Sequence, residues 1–128
     1  MFVRQHDYPP KGLIIREPWV SLILDGLKTW ELRGTRTAIR GRIGLIRSGS
    51  GAVVGEAELF DVVGPLDRIQ LAESVDRHCV RFDWTIVPLP YRSVYAWVIK
   101  KPKRYSVECP YIHPPGAVIW VKLAFPEN

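Results

Sequence analysis

Gly26-Leu27-Lys28-Thr29-Trp30-Glu31-Leu32-Arg33, residues 26–33, joins two kinds of periodicity at one corner of the chain. Upstream of it, Trp19, Leu22, Ile23 and Gly26 recur at helical spacing, which predicts a helix with an apolar face from about Pro18 to Asp25. Pro18 suits the first turn, Glu17 complements the positive end of the dipole, and Gly26 is a natural stop. From Thr29 the period changes to two. Trp30 and Leu32 share one face, while Thr29, Glu31 and Arg33 share the other. A glycine-stopped helix running straight into an alternating strand thus gathers Lys28, Thr29, Glu31 and Arg33.

Outward from this corner the chain reads as mainly β. Lys11–Arg16 is a short apolar strand, and residues 1–10, ending in Pro9-Pro10, are expected to form a loose N-terminal arm. Gly41–Arg47 is a strand, Ser48-Gly49-Ser50-Gly51 a flexible turn, and Ala52–Val63 a long strand bent or bulged at Gly55. Gly64-Pro65 stops it. Helical composition follows over Asp67–Arg77. Val94–Ile99 is a strand that the basic run Lys100–Glu108 extends, and Gly116–Leu123 is the last strand. Five or six strands with an early helix predict a small, partly closed barrel with helices outside.

The 128 residues suffice for one domain with its own core, without disulfides or a structural metal. Apolar residues make up 47% and charged residues 24%, an ordinary globular balance. No apolar run has the length of a membrane helix, and the first residues lack the apolar stretch of a secretory signal, so the expected location is the cytoplasm with no membrane partner. Cys79 and Cys109 are far apart and are expected to be reduced thiols. The net charge of +5 suits a polyanionic partner.

Several residue groups carry candidate chemistry. Lys28 and Arg33 can hold a phosphate or polarise a carbonyl, and Glu31 can take a proton or orient Lys28. On residue types alone, an exposed salt-bridged strand face is the commoner use of this pattern. Glu56 and Glu58 are expected to pair across strands with Arg42 and Arg47 rather than to hold a metal. His6, His78 and His113 make no metal set; His113, before Pro114-Pro115-Gly116, belongs at the mouth of the last strand as a turn histidine. The turn at residues 48–51 has the amides to cradle a phosphate, but no Lys-Ser/Thr follows, and a hairpin turn is the better reading. Lys100, Lys101, Lys103 and Arg104, with Tyr105 beside them, suit single-stranded RNA and suit a solvated sheet edge equally.

Pro18-Trp19 followed by Ile23-Leu24-x-Gly26-x-Lys28-Thr29-x-Glu31-x-Arg33 is similar to the signature of the ASCH family, whose core is GxKxxExR. The resemblance runs on through Arg40-Gly41-Arg42-Ile43-Gly44, Val54-Gly55-Glu56-Ala57-Glu58-Leu59, Tyr95-Ala96-Trp97-Val98 and Pro114-Pro115-Gly116-Ala117-Val118-x-Trp120-Val121-Lys122-Leu123, nearly the whole chain. It implies a mainly β (α+β) fold, a PUA-like small β-barrel of five to six strands with two or three flanking helices, over residues 11–124. It further implies RNA or a nucleoside or nucleotide as partner, leaves a protein partner unimplied, and calls for no cofactor, with a divalent metal left open. Three activities follow from the resemblance: a ribonuclease on single-stranded RNA, an amidohydrolase that deacylates N4-acetylcytidine-type nucleosides, and a non-catalytic RNA or modified-base binding module. Lys28, Glu31 and Arg33 match the signature and are, with Thr29, the implied catalytic residues. Lys28, Arg33, Arg36, Lys100, Lys101, Lys103, Arg104 and Tyr105 are the nucleic-acid-binding candidates. The small bacterial amidohydrolases place a nucleophilic threonine where this sequence has Glu31, and their catalytic glutamate lies in a helix after the long strand, where Glu73 is the candidate here.

Overall fold

The structure, a computed structural model, describes residues 7–127; His6 and most of the expected N-terminal arm lie outside that range. The chain runs β1 (Lys11–Ile15), α1 (Trp19–Leu24), β2 (Trp30–Arg33), β3 (Gly41–Arg47), β4 (Ala52–Val63), α2 (Arg68–Glu73), α3 (Val75–His78), β5 (Tyr95–Pro110) and β6 (Trp120–Lys122). The strands form one six-stranded sheet in the order β2-β5-β4-β3-β1-β6, in which only β1 and β3 pair in parallel. The sheet curls into a half-barrel. Trp97 on β5 stacks on Trp120 of the far edge strand at 5.8 Å, and Arg33 on the opposite edge donates to the carbonyl of Ile14 on β1 at 2.8 Å.

Glycine shapes this curl at one decisive point. Between Val53 and Gly55 the β4–β5 register shifts, and α1 lies directly over the kink. A Cβ on Gly55 would stand 2.5 Å from Leu24 Cδ2 and 2.5 Å from the Lys103 carbonyl, so a side chain there would separate helix from sheet or β4 from β5. Val20, Ile23 and Leu24 of α1 are consequently packed with Leu13, Ile43, Leu59 and Trp97 in the main core. The expected extension of the strand through the basic run is present: β5 reaches Pro110, bulging where Lys101 has φ +52°.

The structure corrects three of the expected elements. The helix expected over Asp67–Arg77 is two short helices divided at Ser74. Asp67 caps the first with a reciprocal Asp67–Gln70 box, while the Ser74 hydroxyl donates to the Gln70 carbonyl and diverts the backbone ladder. The last strand is Trp120–Lys122 alone, because Pro114 and Pro115 offer no amide to the sheet and hand residues 111–119 to a loop. The arm is not loose throughout: Tyr8 is buried between Tyr105 and Phe125 in a second, smaller core, where its ring area outweighs the cost of ordering the segment.

Candidate functional site

Gly26 (φ +78°) turns the chain back at the end of α1, so that the amides of Leu27 and Lys28 both donate to the Leu22 carbonyl. Lys28 is thereby aimed inward, and it is only 2% exposed. Its amine donates to the carbonyl of His78 at 2.5 Å, stands 3.6 Å from Glu31 Oε1 and lies 5.0 Å from the centre of the Trp19 ring. Glu31, 6% exposed, accepts on its other oxygen from Arg33 Nε at 3.1 Å and Nη2 at 2.8 Å. The Arg33 guanidinium sits over Trp97 at 5.6 Å. The charged face of β2 thus turns into the protein, with one carboxylate shared by two cations.

That triad forms part of the lining of a cleft of about 840 Å³, within the range of small-molecule sites. Four segments surround it: the end of β1 with Trp19, the turn at Ser48–Gly51, the loop carrying Phe82, Trp84 and Tyr91, and the connection carrying Tyr111 and His113. The lining holds three cationic side chains, Arg16, Lys28 and Arg33, against the single carboxylate of Glu31. Burial holds the Lys28 amine below the usual lysine range, with Glu31 pulling it partly back up. An ammonium so placed gives up its proton more readily than a surface lysine does.

Behind Lys28 stands His78, fully buried. Its Nε2 lies 2.8 Å from the Leu71 carbonyl and its Nδ1 accepts from the Val80 amide at 2.9 Å, so the proton sits on Nε2. Burial lowers its pKa from 6.5, and the Leu71 carbonyl opposes this in part. Between that lowered value and about 6.5 the unfolded chain binds a proton that the folded chain refuses. The stabilisation is therefore complete above pH 6.5 and is lost as the pH falls through the folded value. The expected result is a thermal midpoint that drops between about pH 7 and about pH 5 more steeply in the wild type than in His78→Gln, measured by differential scanning calorimetry.

The other candidates fall elsewhere. Thr29 is exposed and does not line the cleft; it precedes β2, with its amide donating to the Arg77 carbonyl, and does not share the inner face of Glu31 and Arg33. Glu73, at the end of α2, borders a separate groove with Trp30 and Arg77. Arg36 is exposed, donates to the Gly64 carbonyl and covers Tyr95. Lys100, Lys101, Lys103 and Arg104 lie along the bulged part of β5, away from the cleft lining, with Lys101 paired to Glu58, Arg104 to Asp25, and Lys100 over Phe60. Tyr105 does not offer its ring to a base: it is 7% exposed, packs on Tyr8 and donates to Glu56. Arg42 pairs with Glu56 as expected, whereas Arg47 reaches Glu17 and Glu108 instead of Glu58. Both cysteines are free, and among the described residues no group of three or more His, Cys, Asp or Glu side chains gathers to hold a metal. No helix of the described residues is long and apolar enough to cross a membrane.

Sequence reasoning missed the aromatic wall. Trp19, Phe82, Trp84, Tyr91 and Tyr111 converge from distant positions, and no local periodicity marks them as neighbours. Only His113, expected at the mouth of the last strand, signalled that the connection after β5 reaches the cleft.

The family model of the ASCH domain matches residues 13–112. The crystal structure of ASCH from Zymomonas mobilis resembles this chain with a TM-score of 0.57 at 18% identity, covering 73% of this chain and 68% of that one. A crystal structure of a serine-to-alanine mutant of ZmASCH from the same organism gives a TM-score of 0.63 at 17% identity, over 89% of this chain and 87% of that one. At such identities the likeness speaks for the fold. Comparison with curated proteins gives no match.

Proposed function

The chain belongs to the ASCH domain family, and from that premise we propose that it binds single-stranded RNA or a nucleotide, with one base lodged in the cleft. The supporting observation is the buried Lys28–Glu31–Arg33 triad in an aromatic-lined cavity of about 840 Å³. Trp19 and Tyr91 supply faces on which a base stacks. Glu31 Oε1, held by Lys28 only at 3.6 Å, accepts an exocyclic N–H of the base, while Lys28 and Arg33 donate to its carbonyl oxygen or to a phosphate. A stacked duplex cannot present a base in this way. Titration of the purified protein with short single-stranded and duplex RNAs, followed by tryptophan fluorescence at about 50 and about 200 mM salt, is expected to show saturable, salt-weakened binding of the single strands only. Equal binding of the duplex, or no binding of either, would remove this reading.

Hydrolysis at the same site is a finer reading, favoured by the lowered pKa of Lys28. A ribonuclease comes first and a nucleoside amidohydrolase second. With Thr29 outside the cleft, the nucleophile in either is water or, for RNA, the ribose 2′-hydroxyl. Incubation with single-stranded RNA, with and without divalent metal, and with N4-acetylcytidine separates the two. Saturable binding without product assigns the cleft to a non-catalytic binding module.

A further inference from the structure

We propose that the mouth of the cleft holds an anion subsite, made by Arg16, Ser48, the amides of Gly49 and Gly51, and His113, which takes the phosphate of the bound nucleotide. The inference rests on the nucleotide reading of the cleft and adds that a phosphate, not only a base, is recognised.

Arg16 lines the cleft, is exposed, and has no ion-pair or hydrogen-bond partner for its side chain among the described residues. The nearby acids are taken. Glu17 accepts from the Ser21 amide, the Ser21 hydroxyl and Arg47, and Glu108 accepts from Arg47. Arg16 is thus a guanidinium without a counter-ion at the rim of a cleft whose other charges already sum to positive.

The turn beside it is built to meet an anion. The Ser48 amide donates to the Ile15 carbonyl at 2.9 Å, which holds the turn against the residue that precedes Arg16. Ser50 folds back, its hydroxyl donating to the Arg47 carbonyl at 2.6 Å and accepting from the Ala52 amide at 3.1 Å. Gly49 (φ +80°) and Gly51 (φ +67°) both line the cleft, and their amides are engaged by no other group among the described residues. The Ser50 amide between them donates to the Arg47 carbonyl at 3.0 Å, so the two glycine amides are the ones the turn offers to phosphate oxygens.

The opposite wall completes the set. The Tyr111 amide donates to the Gly51 carbonyl at 3.1 Å, tying the two segments together. Tyr111 Oη lies 2.7 Å from His113 Nδ1, so this contact occupies one ring nitrogen and leaves Nε2 as the other. His113 is exposed and lines the cleft, so Nε2 meets a ligand oxygen in the tautomer or imidazolium that carries a proton there. Two sources share this chemistry: a terminal phosphomonoester and an internal phosphodiester of RNA.

Isothermal titration of the intact chain with the four ribonucleosides, their 3′- and 5′-monophosphates, and dinucleoside monophosphates tests the subsite. A monophosphate is expected to bind at least about tenfold tighter than its own nucleoside, and Arg16→Gln is expected to bring that ratio below about threefold. A dinucleoside monophosphate that outbinds both mononucleotides assigns the subsite to an internal phosphate; the reverse order assigns it to a terminal one. In amide NMR spectra of the wild type, inorganic phosphate is expected to shift the Gly49 and Gly51 resonances, a readout that needs no variant. Equal affinity for nucleoside and monophosphate, or an undiminished ratio in folded Arg16→Gln, overturns the subsite and leaves the base-binding reading standing. Failure of the wild type to bind any of these ligands overturns both.

Discussion

Glu31→Gln is expected to lower the unfolding free energy by about 3 kcal/mol, the cost of leaving buried cations without their counter-charge. The substitution keeps the shape of the side chain, removes its charge and sets an NH2 donor where one of the two acceptor oxygens faced a cation. Lys28 would retain the His78 carbonyl and Arg33 the Ile14 carbonyl, but neither acceptor neutralises a cation. Part of the loss is relieved by proton release. Burial already holds the Lys28 amine low, and Glu31 is the strongest influence raising it. Without Glu31 the folded value falls further, so the variant sheds its proton at a pH where the wild type still holds it. The deficit between variant and wild type is therefore expected to shrink as the pH rises. Urea unfolding of both proteins at about pH 6 and about pH 9 measures it. A deficit below about 0.5 kcal/mol, or one that does not change with pH, would show that water reaches the triad and screens it.

Lys28→Met is expected to separate stability from function. The buried ammonium is penalised chiefly by desolvation, and methionine fills a similar volume without that penalty. The His78 carbonyl loses its donor, which offsets part of the gain. Stability is therefore expected to stay within about 1 kcal/mol of wild type. Glu31 remains paired with Arg33, so the carboxylate is not orphaned. Binding should behave otherwise. A charge-assisted hydrogen bond to the ligand contributes about 1.5–3 kcal/mol, so affinity for single-stranded RNA is expected to fall about 10- to 100-fold. Any hydrolysis that depends on the amine should vanish with it. A folded Lys28→Met protein that binds as tightly as wild type would take Lys28 out of the site.

Much of this architecture was legible in local pattern. The change from helical to alternating period at Gly26–Thr29, the bend at Gly55, the turn at Ser48–Gly51 and the bounds of β4 all appear where residue type and spacing place them. These features depend on neighbours a few positions away, and backbone preference settles them within the segment. The break at Ser74 was hidden because helical composition continues across it, and a single hydroxyl bonding to a carbonyl interrupts the ladder.

The site itself was half legible. Alternation assigns Glu31 and Arg33 to one face of β2, but alternation is symmetric: it cannot say which face the protein covers. The same pattern serves an exposed salt-bridged edge, and only the curl of the sheet, which brings β2 against the end of β1, makes the charged side the inner one. The basic run on β5 shows the converse. Its composition advertises a nucleic-acid surface, yet the strand carries it away from the cleft and sets two of its charges against acids of other segments. By itself, then, the sequence determined the family signature, the mainly β fold and the residue types that meet at one corner. Tertiary structure alone decided that this corner is a cavity, that Trp19, Tyr91, Tyr111 and the His78 carbonyl surround it, and that Thr29 and Tyr105 do not. The reason is physical: chemical character and local periodicity are short-range properties of the chain, whereas burial and concavity arise only when segments distant in sequence close on one another.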